Sequence, residues 1–464
     1  MSEPKTFSIR TFGCQMNEHD SERLAGILMQ DGLVPAMNDD DADVVIFNTC
    51  TIRENADLKL YSALGHLKAQ KERRPGMQIA VGGCMAQKDK EGILERAEWV
   101  DVVFGTHNLA QAPALLKRAA VEGSIVEIWD APDPEANRDM APALYAVREL
   151  PWAAWMTIQT GCDNTCAYCI VPSVRGGEIS RPMDDLLREA TMLAESGVTE
   201  ITVLGQNVNS YGRDITKRHP LFADLLRQLG RIDGIERIRF TSPHPKDLRE
   251  ETIAAMAETP AVCPQLHLPL QSGSNRVLSA MRRGYTAERY LERLAAARAA
   301  IPGLCVTTDL IVGFPSETEA EFDETLRVVA EANYDLAYTF IFSPREGTRA
   351  ALMTDEFIDD AIVAARFARL KDVLDRSALR NHQAREGARE EVLVEGPSRR
   401  NPNAISGRTR QGKLIHFEAP ATPIRPGALV SVDVTHGAPY HLLGTFVEQL
   451  RGPKHKVRIP LLQS

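Results

Sequence analysis

Gly161-Cys162-Asp163-Asn164-Thr165-Cys166-Ala167-Tyr168-Cys169 carries three cysteines in a C-x3-C-x2-C spacing, directly after a strand-like run at 154–159. Three thiolates on one tight loop reach three corners of a four-iron cubane, which ordinarily takes four cysteine ligands. The missing fourth leaves one iron open, as catalytic metal sites keep a position for substrate. A loop that follows a strand lies at its carboxyl end, where (β/α) barrels build their sites. The competing readings are a zinc site and a ferredoxin fragment. Zinc would pair C-x2-C with a second such pair or with histidines, and no fourth ligand lies nearby.

Outward from this loop the chain alternates strand-like and helical patterns. Strand candidates at 154–159, 200–204, 237–241, 265–270, 305–312 and 334–342, with amphipathic stretches between them, fit a partial (β/α)6 barrel open on one side. A charged helix at about 356–385 leads out. The first third alternates likewise, with strands at 7–12, 44–47, 78–81, 100–104 and 125–129, and implies a parallel, helix-covered sheet. Prolines and charges at 130–142 mark a linker. The last part holds five short strands, at 392–394, 404–408, 414–417, 429–434 and 442–447, separated by Gly and Pro. These predict a small all-β, OB-like barrel. The expected division is 1–142, 143–384, 385–452 and a basic tail at 453–464.

A second trio, Cys14, Cys50 and Cys84, has no local motif, but each member follows a strand: Gly13-Cys14, Thr49-Cys50, Gly83-Cys84. If those strands are parallel neighbours, the thiols meet at one carboxyl edge, where open α/β sheets bind ligands. Three thiols would again leave an iron open, on an auxiliary cluster. The alternative is three unrelated buried cysteines, since free Cys is often a core residue. Cys263 and Cys305 lie beside or within barrel strands and read as small core residues.

The chain has 464 residues, 44% hydrophobic and 25% charged, which is a globular balance sufficient for several cores. It shows no long apolar run and no apolar signal region, so a cytoplasmic protein with reduced cysteines is expected rather than a secreted disulfide framework. The net charge of −9 weighs against a protein that merely coats nucleic acid. Residues 381–464 carry 12 Lys and Arg against 7 Asp and Glu, a net of +5 on a body of −14. A basic end on an acidic body suits contact with phosphate.

Gly161 to Cys169, with Ile170-Val171-Pro172 and Arg175-Gly176, resembles the cluster loop of the radical S-adenosylmethionine methylthiotransferases. So do Thr11-Phe12-Gly13-Cys14-Gln15-Met16-Asn17, Asn48-Thr49-Cys50 and Gly82-Gly83-Cys84. Further matches are Leu204-Gly205-Gln206-Asn207-Val208-Asn209, Leu268-Pro269-Leu270-Gln271-Ser272-Gly273-Ser274 and Thr308-Asp309-Leu310-Ile311-Val312-Gly313-Phe314-Pro315. The resemblance covers nearly the whole chain, and its C-terminal barrel looks like a TRAM module. Cys14-Gln15-Met16-Asn17 and Thr51-Ile52-Arg53-Glu54-Asn55-Ala56 resemble the branch that methylthiolates C2 of N6-dimethylallyladenosine beside the tRNA anticodon. The alternatives are the branches acting on N6-threonylcarbamoyladenosine or on a ribosomal-protein aspartate, and, in another class, an iron–sulfur RNA-binding or electron-transfer protein.

The resemblance implies two 4Fe-4S clusters, one on Cys162, Cys166 and Cys169 and an auxiliary one on Cys14, Cys50 and Cys84, with two S-adenosylmethionine consumed. It also implies an external electron donor and a sulfur source; a monomer is the expected state. Cofactor contacts are expected from Arg175, Glu178, Gly205, Gln206, Asn207, Gln271, Ser272, Asp309 and Gly313. RNA contacts are expected from Arg399, Arg400, Arg408 and Arg410, and a shaping of the substrate entrance from Arg53 and Glu54.

Overall fold

The structure, a computed structural model, describes residues 6–51, 54–131 and 147–455. Arg53, most of the expected linker and most of the basic tail fall outside them.

Valine- and isoleucine-rich segments with both faces covered form parallel strands. β1 (Thr6–Phe12), β2 (Val34–Pro35), β3 (Val44–Thr49), β4 (Gln78–Gly83), β5 (Val102–Phe104) and β6 (Ile125–Glu127) make one sheet, ordered β2-β1-β3-β4-β5-β6. Every residue of β3 and β4 is buried. Apolar clusters on the two faces of this sheet centre on Leu24, Ile46 and Leu115, and on Phe47, Leu64 and Val81.

The second unit begins with β7 (Ala153–Thr157), beside a small ribbon of β8 (Gln159–Thr160) and β9 (Ile179–Ser180). β10 (Glu200–Leu204) lies between β7 and β11 (Arg237–Phe240). β13 (Cys305–Val312) lies between β12 (Gln265–His267) and β14 (Leu336–Ile341). The pairings within both triplets are parallel, and a bridge from Ile238 to Val262, just before β12, joins the triplets. This is the expected six-stranded partial barrel: β7 and β14 stand at opposite ends of the wall. Its largest core cluster runs from Met156 through Leu225 and Val306 to Leu370. Helix Asp360–Gln383, capped by the Asp359 carboxylate on the Ala361 N–H at 2.8 Å, closes the unit.

β15 (Arg389–Pro397), β16 (Ala404–Thr409), β17 (Leu414–Glu418), β18 (Leu429–Gly437) and β19 (Leu442–Arg451) close into a barrel ordered β15-β16-β17-β19-β18. Closure leaves no strand edge to be protected. The barrel is clamped to the base of the central unit. Arg237, 1% exposed, donates to the Arg408 carbonyl at 2.9 Å and to the Glu391 carboxylate at 2.9 Å. Arg239 donates to the carbonyls of Arg410 and Thr409, and Lys413 reaches Asp335 at 2.5 Å. No helix among the described residues is long and apolar enough to cross a membrane.

Candidate functional site

Strand register decides where the scattered cysteines go. Phe12 pairs with Thr49, and Thr49 with Gly83. Cys14, Cys50 and Cys84 therefore leave the sheet at one edge, within two residues of that common level. Cys14 caps helix α1 (Gln15–Gln30), and Cys84 opens the short helix Cys84–Asp89. Gly83 sits at φ +94°, and a Cβ there would collide with Asn48 and the Thr49 carbonyl, so only glycine makes this exit.

The edge is held by an asparagine pair. Asn17 Nδ2 donates to Asn48 Oδ1 at 3.1 Å, and Asn48 Nδ2 donates to the Asn17 carbonyl at 2.8 Å; both residues are buried. Asn17 Oδ1 also faces the Cys14 thiol at 3.4 Å. A hydrogen bond with Cys50, aided by the Arg175 charge, holds the Cys14 thiol down at about 6, whereas burial pushes Cys84 up.

The local trio is held by backbone and by two cations. The Cys162 N–H bonds the Gly176 carbonyl at 3.0 Å, and the Cys169 N–H bonds the Cys166 carbonyl at 3.1 Å. Gly161, at φ +76°, lies so close to the Gly177 carbonyl that a side chain would not fit. Arg283 Nη1 donates to Cys166 Sγ at 3.3 Å, and Asn164 Nδ2 to Cys162 Sγ at 3.4 Å, while Lys246 bonds Asn164 Oδ1. Burial pushes the Cys169 thiol up to about 12 and raises Cys162.

The two trios meet through one helical turn. Immediately after Cys169, Ile170 and the turn Val171–Arg175 lie against Cys84, with Ile170, Val174 and Cys84 forming a small apolar cluster. Thr106 Oγ1 donates to the Val174 carbonyl at 2.7 Å. Arg175 Nε donates to Cys84 Sγ at 3.3 Å, and its Nη2 to Asp20 Oδ2 at 2.7 Å. From the other side α1 leans on β7, where His19 Nδ1 and Thr157 Oγ1 lie 2.8 Å apart. Further out, Lys88 reaches Glu346 in the loop after β14 at 3.8 Å.

The expected cofactor contacts divide. Arg175 faces the amino-terminal thiols and Asp20 instead of the barrel lumen. Its place right after the cluster loop hid this, because the thiol that meets it is 91 residues away. Glu178 and Asn207 do converge, Asn207 Nδ2 lying 3.2 Å from Glu178 Oε1 and 3.0 Å from Asp247 Oδ2. Asn207 Oδ1 and Gln206 Oε1 are buried acceptors without a protein partner. Gly205 allows close packing on Val208 and Gln159. Asp309 lies 3.3 Å from His267. Gln271, at φ +70°, bonds the Asp309 carbonyl through its N–H. Ser272 turns its hydroxyl to Thr325 at 3.2 Å, and Gly313 packs on Val363, so these two build the wall. Arg399 and Arg400 are exposed on the turn after β15. Arg408 is half-exposed and paired with Glu395 at 2.9 Å. Arg410 is drawn into the clamp, bonding the Pro260 and Glu236 carbonyls, so its guanidinium is already engaged by protein. Asn17, Asn48, Asp20, Arg283 and Lys246 were not singled out from sequence as site residues. Asn17 and Asn48 sit in the quoted cysteine motifs and were findable there; Arg283 carries no local signal.

Among the described residues no group of three or more His, Cys, Asp or Glu is placed to hold a single metal ion. A four-iron cluster meets each thiolate with a separate iron. Two all-sulfur trios, each with an N–H donor from a buried arginine on one thiol, suit such a group by donor chemistry.

Family comparison agrees. Residues 156–329 match the radical SAM superfamily, and residues 6–105 match the uncharacterized protein family UPF0004. The chain is 52% identical to the tRNA-2-methylthio-N(6)-dimethylallyladenosine synthase of Streptomyces viridosporus, over 98% of this chain and 88% of that protein. It is 53% identical to the synthase of the same name from Acidothermus cellulolyticus, over 97% and 89%. Among solved structures, the radical S-adenosylmethionine methyltransferase TsrM from Kitasatospora setae aligns with TM-score 0.55 at 13% identity, covering 75% of this chain and 77% of that one. That likeness concerns the fold. The chain is thus a radical SAM enzyme of methylthiotransferase type, and the family implies a 4Fe-4S cluster and S-adenosylmethionine. Within that class it belongs to the tRNA-2-methylthio-N(6)-dimethylallyladenosine synthase family.

Proposed function

We propose that this enzyme adds CH3–S to C2 of N6-dimethylallyladenosine next to the tRNA anticodon. In this reading residues 1–142 carry an auxiliary 4Fe-4S cluster, 143–384 the radical core and 385–452 an RNA-gripping barrel. The observation that carries the reading is the contact of Cys84 with Ile170 and Val174, which brings the scattered trio against the local one.

The C2–H bond is not acidic, and acid–base help worth roughly 10²–10⁴-fold is too little to break it. The clusters and S-adenosylmethionine, when bound, supply the radical hydrogen abstraction, the sulfur and the methyl group. The chain's residues do the rest. Cys162, Cys166 and Cys169 would hold one cluster with a corner open, and Cys14, Cys50 and Cys84 the other. Asn164 and Arg283 steady the first set of thiolates, and the Asn17–Asn48 pair steadies the second. Glu178 with the free acceptors of Gln206 and Asn207 offers oxygens to an ammonium group, while Asp309 lies within β13 beside His267. Ile170, Val174, Tyr168 and Phe342 line the loop with apolar surface that excludes water.

Arg399 and Arg400, exposed, and the half-exposed Arg408 are the barrel's cations for phosphate. Single-stranded loop bases are read by stacking and edge hydrogen bonds, so the adenine must be splayed out to enter. The deciding experiment is mass spectrometry of tRNA nucleosides from a strain lacking this gene. The 2-methylthio derivative is expected to vanish while N6-dimethylallyladenosine accumulates, with reversal by the wild-type gene. Loss of methylthiolation from N6-threonylcarbamoyladenosine or from ribosomal protein instead would overturn the assignment.

A further inference from the structure

Arg175 and Arg283 are buried with an N–H on a thiol, and both come from unexpected places. Arg283 lies beyond β12 and donates to Cys166, inside its own unit. Arg175 belongs by sequence to the turn after Cys169, yet its Nε–H lies on Cys84 and its Nη2 on Asp20 of α1, both in the amino-terminal unit. Its side chain is 6% exposed and that of Asp20 11%. The position is over-determined: Val174 packs on Cys84, Thr106 holds the Val174 carbonyl, and Gly176 at φ +75° ends the turn.

Iron–sulfur potentials respond to net charge and to hydrogen bonds on the sulfurs, and partners behind the ligands tune a site as the ligands do. A cation with an N–H on a thiolate favours the extra negative charge of the reduced state. A carboxylate paired to that cation partly cancels the effect. Resting on the auxiliary-cluster reading above, we propose that Arg175 is a positioning residue that sets the reduction potential of the Cys14/Cys50/Cys84 cluster, with Asp20 as its counterweight. One cluster's loop thereby governs the electronics of the other. Arg283 does the corresponding work for the local trio.

The test uses the full chain with Cys162, Cys166 and Cys169 all changed to Ala, reconstituted anaerobically with iron and sulfide. The remaining cluster is titrated with electron paramagnetic resonance as readout. Arg175→Gln is expected to lower the ratio of reduced to oxidised cluster at fixed potential about tenfold, a downward shift of about 59 mV for one electron. Arg175→Lys keeps the charge and recovers part of the shift, though it loses the guanidinium fork. Asp20→Asn removes the counterweight and moves the potential upward. In the complementary Cys14/Cys50/Cys84→Ala protein, Arg175→Gln leaves the potential in place and Arg283→Gln lowers it. An Arg175→Gln titration that superimposes on the parent overturns the proposal. So does a downward shift in both Arg175→Gln and Asp20→Asn, which would mark general loosening. A Cys162/Cys166/Cys169→Ala protein that takes up no cluster at all overturns the auxiliary-cluster reading and this proposal with it.

Discussion

The two cysteine trios are assembled by opposite routes. Cys162, Cys166 and Cys169 lie within eight residues, and their loop is closed by its own backbone bonds and by Gly161. Cys14, Cys50 and Cys84 span seventy positions, and they meet only because three parallel strands hold one register. A site built on a loop fails locally, whereas a site built on a sheet edge fails when the sheet does. Buried arginines serve both, but Arg283 stays at home and Arg175 crosses over.

The sharpest division comes from removing each trio in turn. Cys162/Cys166/Cys169→Ala is expected to abolish 5′-deoxyadenosine formation from S-adenosylmethionine, measured by chromatography on the reduced protein, while iron analysis still finds the other cluster. Cys14/Cys50/Cys84→Ala is expected to keep that product and lose all methylthio transfer. Loss of all iron from either protein would erase the distinction between the two sites.

Glycine substitutions come next. Gly83→Ala forces a Cβ into Asn48 and the Thr49 carbonyl at φ +94°, a strain of about 1–3 kcal/mol before the clash is counted. It should lower the melting temperature of the amino-terminal unit. Gly161→Ala should deplete iron from its loop with little effect on melting. Equal effects on melting would show that the loop, too, depends on the sheet. Asn48→Ala leaves the buried Asn17 Nδ2 with only the Thr49 carbonyl at 3.4 Å and strips the Asn17 carbonyl of its Asn48 donor, and should cost roughly 1–3 kcal/mol in denaturant unfolding, again on the amino-terminal side only.

The smallest expected effect is a pH trend confined to the other half. Burial pushes Glu317 up to about 7, although the Gly313 N–H and Arg366 oppose the shift. A carboxyl raised in the folded state contributes stability that is complete below its unfolded pKa and is lost as pH rises through about 7. Glu317→Gln should therefore gain melting temperature on the wild type between pH 5 and pH 8. A constant difference across that range would remove burial as the cause.

Much of this was legible in the sequence because it depends on periodicity. Six barrel strands and five terminal strands announce themselves through apolar runs ended by Gly, Pro or Asn. Cys14, Cys50 and Cys84 follow strands, and parallel order brings strand ends together. Side-chain direction was not legible. Arg175 reads as a neighbour of the cluster loop, but which of two walls it faces depends on where α1 docks, and no residue near it encodes that. Arg410 reads as a cation for RNA, yet the groups that capture it, the Glu236 and Pro260 carbonyls, are backbone atoms more than 140 positions away. Charge counts record how many cations a segment owns, and burial decides which remain available.

The clamp of Arg237, Arg239 and Lys413 gives the terminal barrel no swing: tilting it would strand a guanidinium that is 1% exposed and pull Lys413 from Asp335. Whatever the barrel grips is presented at one standing angle and one reach. If the barrel holds RNA as proposed above, the enzyme works as a fixed jig, and the bending needed to bring the base to the thiols falls to the RNA.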